Sequence, residues 1–374
     1  MAGYIVSLKD EDSLRRCINI GCYSTNLSKP KNGNWLIHHE GTFADYFGMN
    51  SGDNIYFFIN RKIYGIGELI NIKWKCSYLN YPNADVANIY DYENIKKMML
   101  LDSIENLDNR CICLFKPNPN FFINGVDMDD VLSSNPSKFR MLRAFWKLSF
   151  IKIDDEENKA LKDILLKRNE EYIYKRSNSF EYSDRFHKII ELKIKPEYIM
   201  ESNNILKNCF ESNKIKHEMA IEAAIIDNIN KNDNSIFGKW DYISHQVIAS
   251  PFKPIDYMDK MDVFGYRYIE GFDTISKYLV IEIKKDIASK EAIDQIMKYV
   301  DWINQEYSFG DYSTIKAFIV AYNFPQEVIQ YKEEVCIRNY TKGRRPTVAK
   351  TWTDIELIYY RFENNTIKFY RSNS

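Results

Sequence analysis

A carboxylate and an ammonium group lie two residues apart in an apolar stretch of this 374-residue chain, Glu282 and Lys284 in VIEIKK. Because side chains alternate along a strand, both would lie on one face, with Ile281 and Ile283 on the other. Burying a charge is costly unless the charge is paired or bound to a metal ion. Taken alone, the pair indicates only an ion pair on an edge strand, so its meaning depends on the polar residues around it.

Other acidic residues stand at spacings that would bring them to the same place. Asp262 precedes Glu282 by 20 residues, about the length of a hairpin, so two antiparallel strands would set these carboxylates side by side. Upstream, Glu218 and Glu222 are four residues apart and share one face of a predicted helix. The spacing therefore predicts a cluster of carboxylates at one end of a strand.

Such a cluster favours a hard divalent cation, because Mg²⁺ prefers oxygen ligands and keeps several waters. A neighbouring lysine would orient or deprotonate a bound water and stabilise a charged phosphorane. The chemistry is metal-assisted hydrolysis of a phosphodiester. Gln295 and Tyr299, again four residues apart, complete an ordered series of helical acid, aspartate, E-x-K and Q-x-x-x-Y.

With this series, residues 213–322 resemble the PD-(D/E)xK nuclease superfamily, and most closely its RecB-like and NucS-like branches. The segments EMAIEAAI and QIMKYVDWI, and the separation of 11 positions from Lys284 to Gln295, carry the resemblance to the NucS-like endonucleases. Either Glu218 or Glu222 fits the helical position, and Glu218 is preferred because EMA matches the family segment. The resemblance implies Mg²⁺ or Mn²⁺ held by Asp262, Glu282 and Ile283, and a catalytic set of Glu218, Asp262, Glu282, Lys284, Gln295 and Tyr299.

The N-terminal 125 residues predict short strands, GYIVSL, NWLIHH, DNIYFFIN and KIYGIGELINIKW, with a hairpin whose turn lies near Asn60 and Arg61. NWLIHH and SGDNIYFFINRKIYGIGEL give this part a weaker resemblance to PUA-like modules of the EVE and ASCH type. That resemblance implies a small barrel that holds a nucleobase between aromatic walls. Each aromatic residue could instead pack in the core; the candidate walls are Trp35, Tyr56, Phe58, Tyr64 and Trp74.

Residues from about 137 to 178 show helical periodicity. The first part has an apolar stripe, and its basic side chains would face phosphates or solvent. The second, DDEENKALKDILLKRNEEY, has acidic residues in its first turn, as a helix dipole favours. Residues 176–196 are polar and predict a connector. The stripe is Phe139, Leu142, Phe145 and Trp146, and the basic residues are Lys138, Arg140, Arg143 and Lys147.

The C-terminal half predicts a helix over 213–231, then strands over 242–250, 258–268 and 277–285. A helix over 289–307 and a strand over 314–322 follow, so the last two strands should be parallel, and a hairpin ends the chain. The predicted fold is an α/β multidomain protein. Its parts are a PUA-like, β-rich barrel over 1–125, a helical connector over 126–200, and a nuclease core with a mixed sheet flanked by helices over 201–374.

Composition agrees with a soluble, cytoplasmic, globular protein. The chain is 45% hydrophobic and 28% charged, and no apolar run approaches the roughly 20 residues that a membrane span requires. Seven cysteines without a C-x-x-C pair favour reduced thiols over disulfides or zinc. A net charge of −1 argues against a protein that coats DNA, although local basic patches would still bind it.

Three functions fit the sequence. The first is a metal-dependent DNA endonuclease of restriction or phage-defence type, whose N-terminal module selects modified DNA. The second is a repair nuclease that acts on mismatched or branched DNA. The third is a non-catalytic nucleic-acid-binding protein, against which the intact Asp262, Glu282 and Lys284 argue. Cutting both strands needs two active sites, which a homodimer would supply.

Overall fold

A computed structural model describes residues 1–28, 32–87, 91–102, 107–144, 150–211, 214–231, 234–250, 258–363 and 366–372; the side chains of Arg176 and Glu211 are not described. The chain forms two compact units, Met1–Asn208 and Cys209–Ser374.

The first unit is a mixed α/β unit whose main sheet curls into a half-barrel. Its strands run in the order β2-β6-β4-β3-β1-β8, with β5 paired to β6 and β7 paired to β4. The strands are β1 (Gly3–Ser7), β2 (Cys22–Asn26), β3 (Asn54–Ile59), β4 (Lys62–Leu69), β5 (Ser77–Leu79), β6 (Asn109–Pro117), β7 (Val126–Asp127) and β8 (Phe150–Ile153). The helices are α1 (Glu11–Ile20), α2 (Ile37–Phe47), α3 (Tyr92–Ile95), α4 (Met128–Ser134), α5 (Asp155–Arg168), α6 (Arg185–Lys193) and α7 (Ser202–Leu206).

The predicted hairpin is confirmed. Strands β3 and β4 are antiparallel, and the two turn residues, Asn60 and Arg61, both have positive φ (48° and 65°). Two successive residues with positive φ match the twist of the flanking strands, which is why tight hairpins select this turn.

Residues predicted as a connector belong to the first unit. Strand β8 pairs antiparallel with β1, and α5 packs against β1 and β4. Tyr56 Oη donates a 2.8 Å hydrogen bond to Asn158 Oδ1 on α5 in the interior. The helix predicted for residues 137–149 is wrong where the chain is described, since only a short 3₁₀ turn forms at Leu142–Ala144. Phe145, Trp146 and Lys147 lie outside the described residues.

Two further predictions in this unit are wrong. NWLIHH is not a strand, because α2 begins at Ile37 and buries Phe43, Ala44 and Tyr46 along one side. Residues 176–196 are not only a connector, because α6 forms there and buries Ile190 in a satellite core.

The second unit is built on a six-stranded mixed sheet in the order β11-β12-β13-β14-β17-β18, with two small two-stranded sheets beside it. No helix in the described parts of the chain is both long and apolar enough to cross a bilayer. The strands are β9 (Phe210–Glu211), β10 (Lys214–Ile215), β11 (Tyr242–Ile248), β12 (Lys260–Tyr268), β13 (Ile275–Ile287), β14 (Ile315–Asn323), β15 (Arg338–Lys342), β16 (Val348–Trp352), β17 (Ile355–Glu363) and β18 (Thr366–Arg371). The helices are α8 (Glu218–Lys231), α9 (Lys290–Ile303) and α10 (Gln326–Val335).

The predicted strand–helix–strand crossover is confirmed, since β13 and β14 pair in parallel and α9 packs on both. The terminal hairpin β17–β18 also forms as predicted. Strand β13 is central and its middle residues, from Tyr278 to Ile283, are buried, as its apolar sequence requires. The sequence did not predict α10 or the β15–β16 hairpin, which forms a sheet of its own.

Candidate active site

Asp262 and Glu282 lie on adjacent antiparallel strands. Val263 on β12 pairs with Ile281 on β13 at the end of the ladder. Asp262, which precedes Val263, therefore lies next to Glu282, which follows Ile281. Asp262 Oδ2 accepts a 2.7 Å hydrogen bond from the main-chain N–H of Ile283. The hairpin therefore brings the two carboxylates side by side, as the 20-residue spacing predicts.

Glu282 and Lys284 form an ion pair on a central strand and not on an edge. Glu282 is 0% exposed, and Lys284 Nζ donates to Glu282 Oε1 at 2.6 Å. The second oxygen, Glu282 Oε2, is buried and has no hydrogen-bond partner among the described residues. A buried carboxylate oxygen without a partner costs free energy, so this atom marks a place where a ligand would be stabilised.

The charges of this cluster perturb one another. Burial raises the pKa of Glu282 to about 7, although the Lys284 ammonium opposes the shift. Burial, followed by the negative charges of Glu282 and Glu222, raises the pKa of Asp262 well above its usual range. Burial alone would lower the pKa of Lys284, but the surrounding carboxylates outweigh it and raise that pKa. The site is thus a buried set of mutually repelling carboxylates with one cation beside it.

Helix α8 contributes both candidate glutamates. Glu218 is half-buried, and its Oε1 accepts a 3.1 Å hydrogen bond from the main-chain N–H of Lys285, just beyond the E-x-K segment. Glu222 is 1% exposed, and burial raises its pKa. The charges of both glutamates raise the pKa of Glu282. The structure therefore brings both acids to the site, and the choice between them stays a prediction.

Two residues of β11, His245 and Gln246, were missed by sequence reasoning. Gln246 Nε2 donates to Glu222 Oε1 at 2.9 Å and to Asp262 Oδ1 at 3.4 Å. His245 Nδ1 lies 3.4 Å from Glu222 Oε2. Neighbouring residues of a strand normally face opposite sides, but Gln246 has a φ of 52°, which turns both side chains to one acid. The signal in the sequence was the polar pair HQ inside the apolar strand YISHQVI.

The Q-x-x-x-Y pair on α9 lies beside β12. Gln295 Nε2 donates to Tyr299 Oη at 2.9 Å, and Tyr299 Oη donates to the carbonyl of Lys260 at 2.7 Å. Lys260 is two residues before Asp262, and the charges of Asp262 and Glu282 contribute to the raised pKa of Tyr299. These contacts fix α9 against the strand that carries the aspartate.

The oxygen atoms around Asp262 and Glu282 suit Mg²⁺ or Mn²⁺, which keep some water ligands, better than they suit a metal ion that protein side chains enclose completely. Among the described residues, no three His, Cys, Asp or Glu side chains are arranged to enclose a metal ion. Magnesium is commonly held by one or two carboxylates, with waters and substrate oxygens completing its octahedron. Asp262, Glu282 with its unpartnered oxygen, and the main-chain carbonyl of Ile283 are groups of this kind.

The five aromatic residues suggested as walls of a base pocket lie in different environments. Trp35 and Tyr56 are each 0% exposed, so their rings pack in the interior and offer no surface for a base. Tyr64 is buried against Gly125, and Phe58 packs on the core that contains Tyr56. Trp74 is 48% exposed, with Lys73 Nζ 5.6 Å from its ring centre. The aromatic-pocket interpretation is therefore wrong for Trp35 and Tyr56, because these side chains form the core.

The basic residues before β8 are also occupied. Lys138 pairs with Glu156 at 2.9 Å, and Arg140 pairs with Asp154 at 2.9 Å. Arg143 donates to the main-chain carbonyls of Phe139 and Pro136. These three side chains hold a loop in place.

Comparisons with known proteins add little. No protein-family model matches the chain, and no curated protein matches it. A solved structure described as a repair endonuclease from Pyrococcus abyssi aligns at 24% identity with a TM-score of 0.22. The alignment covers 30% of this chain and 43% of that chain. A similarity of this extent identifies neither the fold nor the activity.

Proposed function

We propose that the second unit is a metal-dependent nuclease that hydrolyses phosphodiester bonds of DNA. The observation that carries the proposal is the meeting of Asp262, Glu282 and Lys284 on two adjacent strands. One buried oxygen of Glu282 has no partner in the part of the chain that the structure describes. Buried carboxylates with raised pKa values, grouped with a lysine, are the kind of perturbed cluster that functional sites contain.

In this proposal Asp262, Glu282 and the carbonyl of Ile283 hold Mg²⁺ or Mn²⁺. When bound, the cation supplies charge stabilisation for the phosphate and a more acidic water. Glu218 and Glu222 both lie close enough to raise the pKa of Glu282, and Glu222 also raises the pKa of Asp262, so either acid would position water at the open side of the site. Gln246 acts as a positioning residue, because it holds Glu222 and Asp262 together.

Lys284 acts as a charge stabiliser rather than as a base. The carboxylates raise its pKa, so the side chain stays protonated at neutral pH. Its Nζ is held by Glu282 at 2.6 Å and would donate hydrogen bonds to a phosphate oxygen as negative charge develops there. Removing such a preorganised donor typically costs about 100- to 1,000-fold in rate.

We infer further that the first unit selects the DNA, in a restriction or defence enzyme that recognises modified bases. The support is that one chain contains two compact units, and that the proposed site in the second unit would contact the phosphates of DNA. Phosphates are the same in every sequence, so selectivity must come from contacts elsewhere. Since Trp35 and Tyr56 are in the core, the selecting surface must be built from other residues.

The test is cleavage by the full chain, with Mg²⁺ or Mn²⁺, of matched plasmids that are unmodified or carry methylcytosine or hydroxymethylcytosine. Mismatched and branched oligonucleotides are assayed beside them. We expect metal-dependent cleavage that Asp262→Asn and Glu282→Gln abolish and that Lys284→Ala lowers about 100- to 1,000-fold, while the protein stays folded. Glu334→Gln on the exposed face of α10 is the matched control and should cleave as the wild type does.

Each result separates the alternatives. Preference for a modified plasmid supports the defence function, and preference for mismatched or branched DNA replaces it with repair. Full cleavage by Lys284→Ala in Mg²⁺ would show that the proposed site is not the active site. Binding without cleavage of any substrate would leave the non-catalytic nucleic-acid-binding function.

A further inference from the structure

The β15–β16 hairpin is a basic arm set apart from the main sheet. Residues 338–352 contain five basic residues and no acidic one, and residues 341–351 are all exposed. A two-stranded hairpin is marginally stable by itself, so an exposed hairpin of this kind needs anchoring at its base.

The base of the arm is anchored by three contacts. Arg338 forms a two-pronged ion pair with Asp301 on α9, at 2.8 and 2.9 Å. Lys342 Nζ lies 3.0 Å from Asp311, and Trp352 Nε1 donates to the carbonyl of Ile315 at 2.9 Å. The remaining basic residues of the arm are exposed: Arg344 and Arg345 lie in the turn, and Lys350 lies on β16 opposite Tyr340.

A cleft of about 570 Å³ lies between the arm and the segment that follows α9. A volume of this size lies within the range of small-molecule sites. Phe309 is 86% exposed and has a φ of 49°, so a large apolar ring is held in solvent on a left-handed backbone. The lining includes Asn304, Phe309, Asp311, Tyr312, Tyr340 and Lys342.

One lining residue points to a ligand by its hydrogen bonding. Asn304 is 9% exposed, and its Oδ1 is buried without a hydrogen-bond partner among the described residues. The acid of the cleft, Asp311, is already satisfied by Lys342 and by the hydroxyl and N–H of Ser313. The cleft therefore offers an unused acceptor and aromatic faces, with positive charge at its rim.

We propose that this cleft binds a nucleotide of single-stranded nucleic acid, with the base on Phe309 and Tyr340 and the phosphates on Arg344 and Arg345. Aromatic rings stack on any unpaired base, whereas a duplex hides the faces of its bases. Asn304 Oδ1 is buried in the wall of the cleft, so it would accept a hydrogen bond from a base amino group after a rotation of its side chain. An acidic protein bound to the arm would pair with Arg344 and Arg345, but such a partner would not explain the exposed ring of Phe309.

This inference rests on the proposed nuclease function. If that function is correct, single-stranded regions of nucleic acid are the substrate of the enzyme. Tyr278 Oη donates at 3.2 Å to the carbonyl of Tyr307, which stands two residues before the lining residue Phe309. Tyr278 is four residues before Glu282 on the same face of β13, or about 13 Å along the strand. The cleft and the carboxylates are thus connected through β13 within one unit.

The test is binding of fluorescein-labelled dT₁₂, rU₁₂ and a hairpin duplex to full-length Glu282→Gln protein over a salt series. Phe309→Ala and Phe309→Leu should each weaken dT₁₂ or rU₁₂ binding roughly 5- to 150-fold, since neither replacement stacks. Arg344→Ala with Arg345→Ala should lower the log–log salt slope by about 1.4. Tyr370→Ala, and Lys332→Ala with Lys368→Ala, are the matched controls and should bind normally.

The two oligonucleotides show whether the strand is DNA or RNA. The inference is overturned if both Phe309 variants bind as Tyr370→Ala does, or if the duplex binds as tightly as the single strands. Tighter binding of poly-glutamate than of dT₁₂ and rU₁₂ would assign the arm to an acidic protein and would also overturn it. This test measures binding and not cleavage. If the wild-type protein cleaved no substrate, the nuclease proposal would be refuted, but the binding result would still decide the present inference.

Discussion

Replacing Gln246 with alanine and with glycine should reverse the usual order of stability in a strand. The pairs His245–Val263 and Val247–Met261 flank Gln246, so this residue stands directly opposite Asp262. Its φ of 52° lies in the left-handed region, which favours glycine over any residue with a Cβ. Its side chain also holds two buried carboxylates.

Two effects set the magnitude. Loss of the 2.9 Å hydrogen bond to Glu222 costs about 1.5–3 kcal/mol in either variant, and the 3.4 Å bond to Asp262 contributes less. The left-handed backbone destabilises the alanine variant by about 1–2 kcal/mol and leaves the glycine variant unstrained. The greater entropy of glycine in the unfolded chain reduces this advantage of glycine by about 0.5–1 kcal/mol. Gln246→Gly should therefore be more stable than Gln246→Ala by about 0.5–1 kcal/mol.

Hydrogen exchange of the β11 and β12 amides, followed by mass spectrometry, gives the local free energy of opening for each variant. Ser244 provides the matched control, because it lies on the same strand and its φ is not positive. There Ser244→Gly should be less stable than Ser244→Ala. If Gln246→Gly is the less stable of its pair, or if both Gln246 variants match the wild type, the strain and the hydrogen bonds assigned to Gln246 are not real.

Three further outcomes are expected. Glu218→Gln should lower the cleavage rate roughly 10- to 100-fold, and more than Glu222→Gln does, because Glu218 is the less buried acid. Wild-type cleavage rates in both variants would show that α8 is not part of the site. Trp35→Ala should destabilise the first unit by about 3–5 kcal/mol in thermal unfolding, whereas the exposed Trp74→Ala should change it by less than about 0.5 kcal/mol; equal effects would show that Trp35 is not in the core. Burial lowers the pKa of His39 to about 4, below an unfolded value near 6.5, so the unfolded state binds more protons between these pH values and stability should rise with pH across the window. The rise should be on the order of 2 kcal/mol after allowance for screening, and His39→Gln should flatten it in urea titrations at pH 4 to 7.

The second unit was predictable because its signals are local. Residues 277–285 contain a continuous apolar run whose middle is buried, as a central strand requires, and the acidic residues stand at hairpin and helical spacings that survive in the folded chain. The first unit was less predictable, because β8 is a four-residue strand whose identity depends on pairing with β1, about 150 residues earlier. The roles of His245 and Gln246 depend on one left-handed φ, which residue types alone do not specify.

The topology of the second unit's sheet also predicts an order of assembly. Asp262 and Glu282 belong to a hairpin, so a single short loop closure brings them together. The parallel pairs β13–β14 and β14–β17 must instead wait for crossover connections that carry α9 and α10, and contacts of this range form slowly. The carboxylate pair would therefore form before the central sheet that buries it, and for that interval the two acids are exposed to water, where they carry little mutual strain. Completion of the sheet would then withdraw water from a carboxylate pair that is already in place, and this burial raises the pKa of both acids.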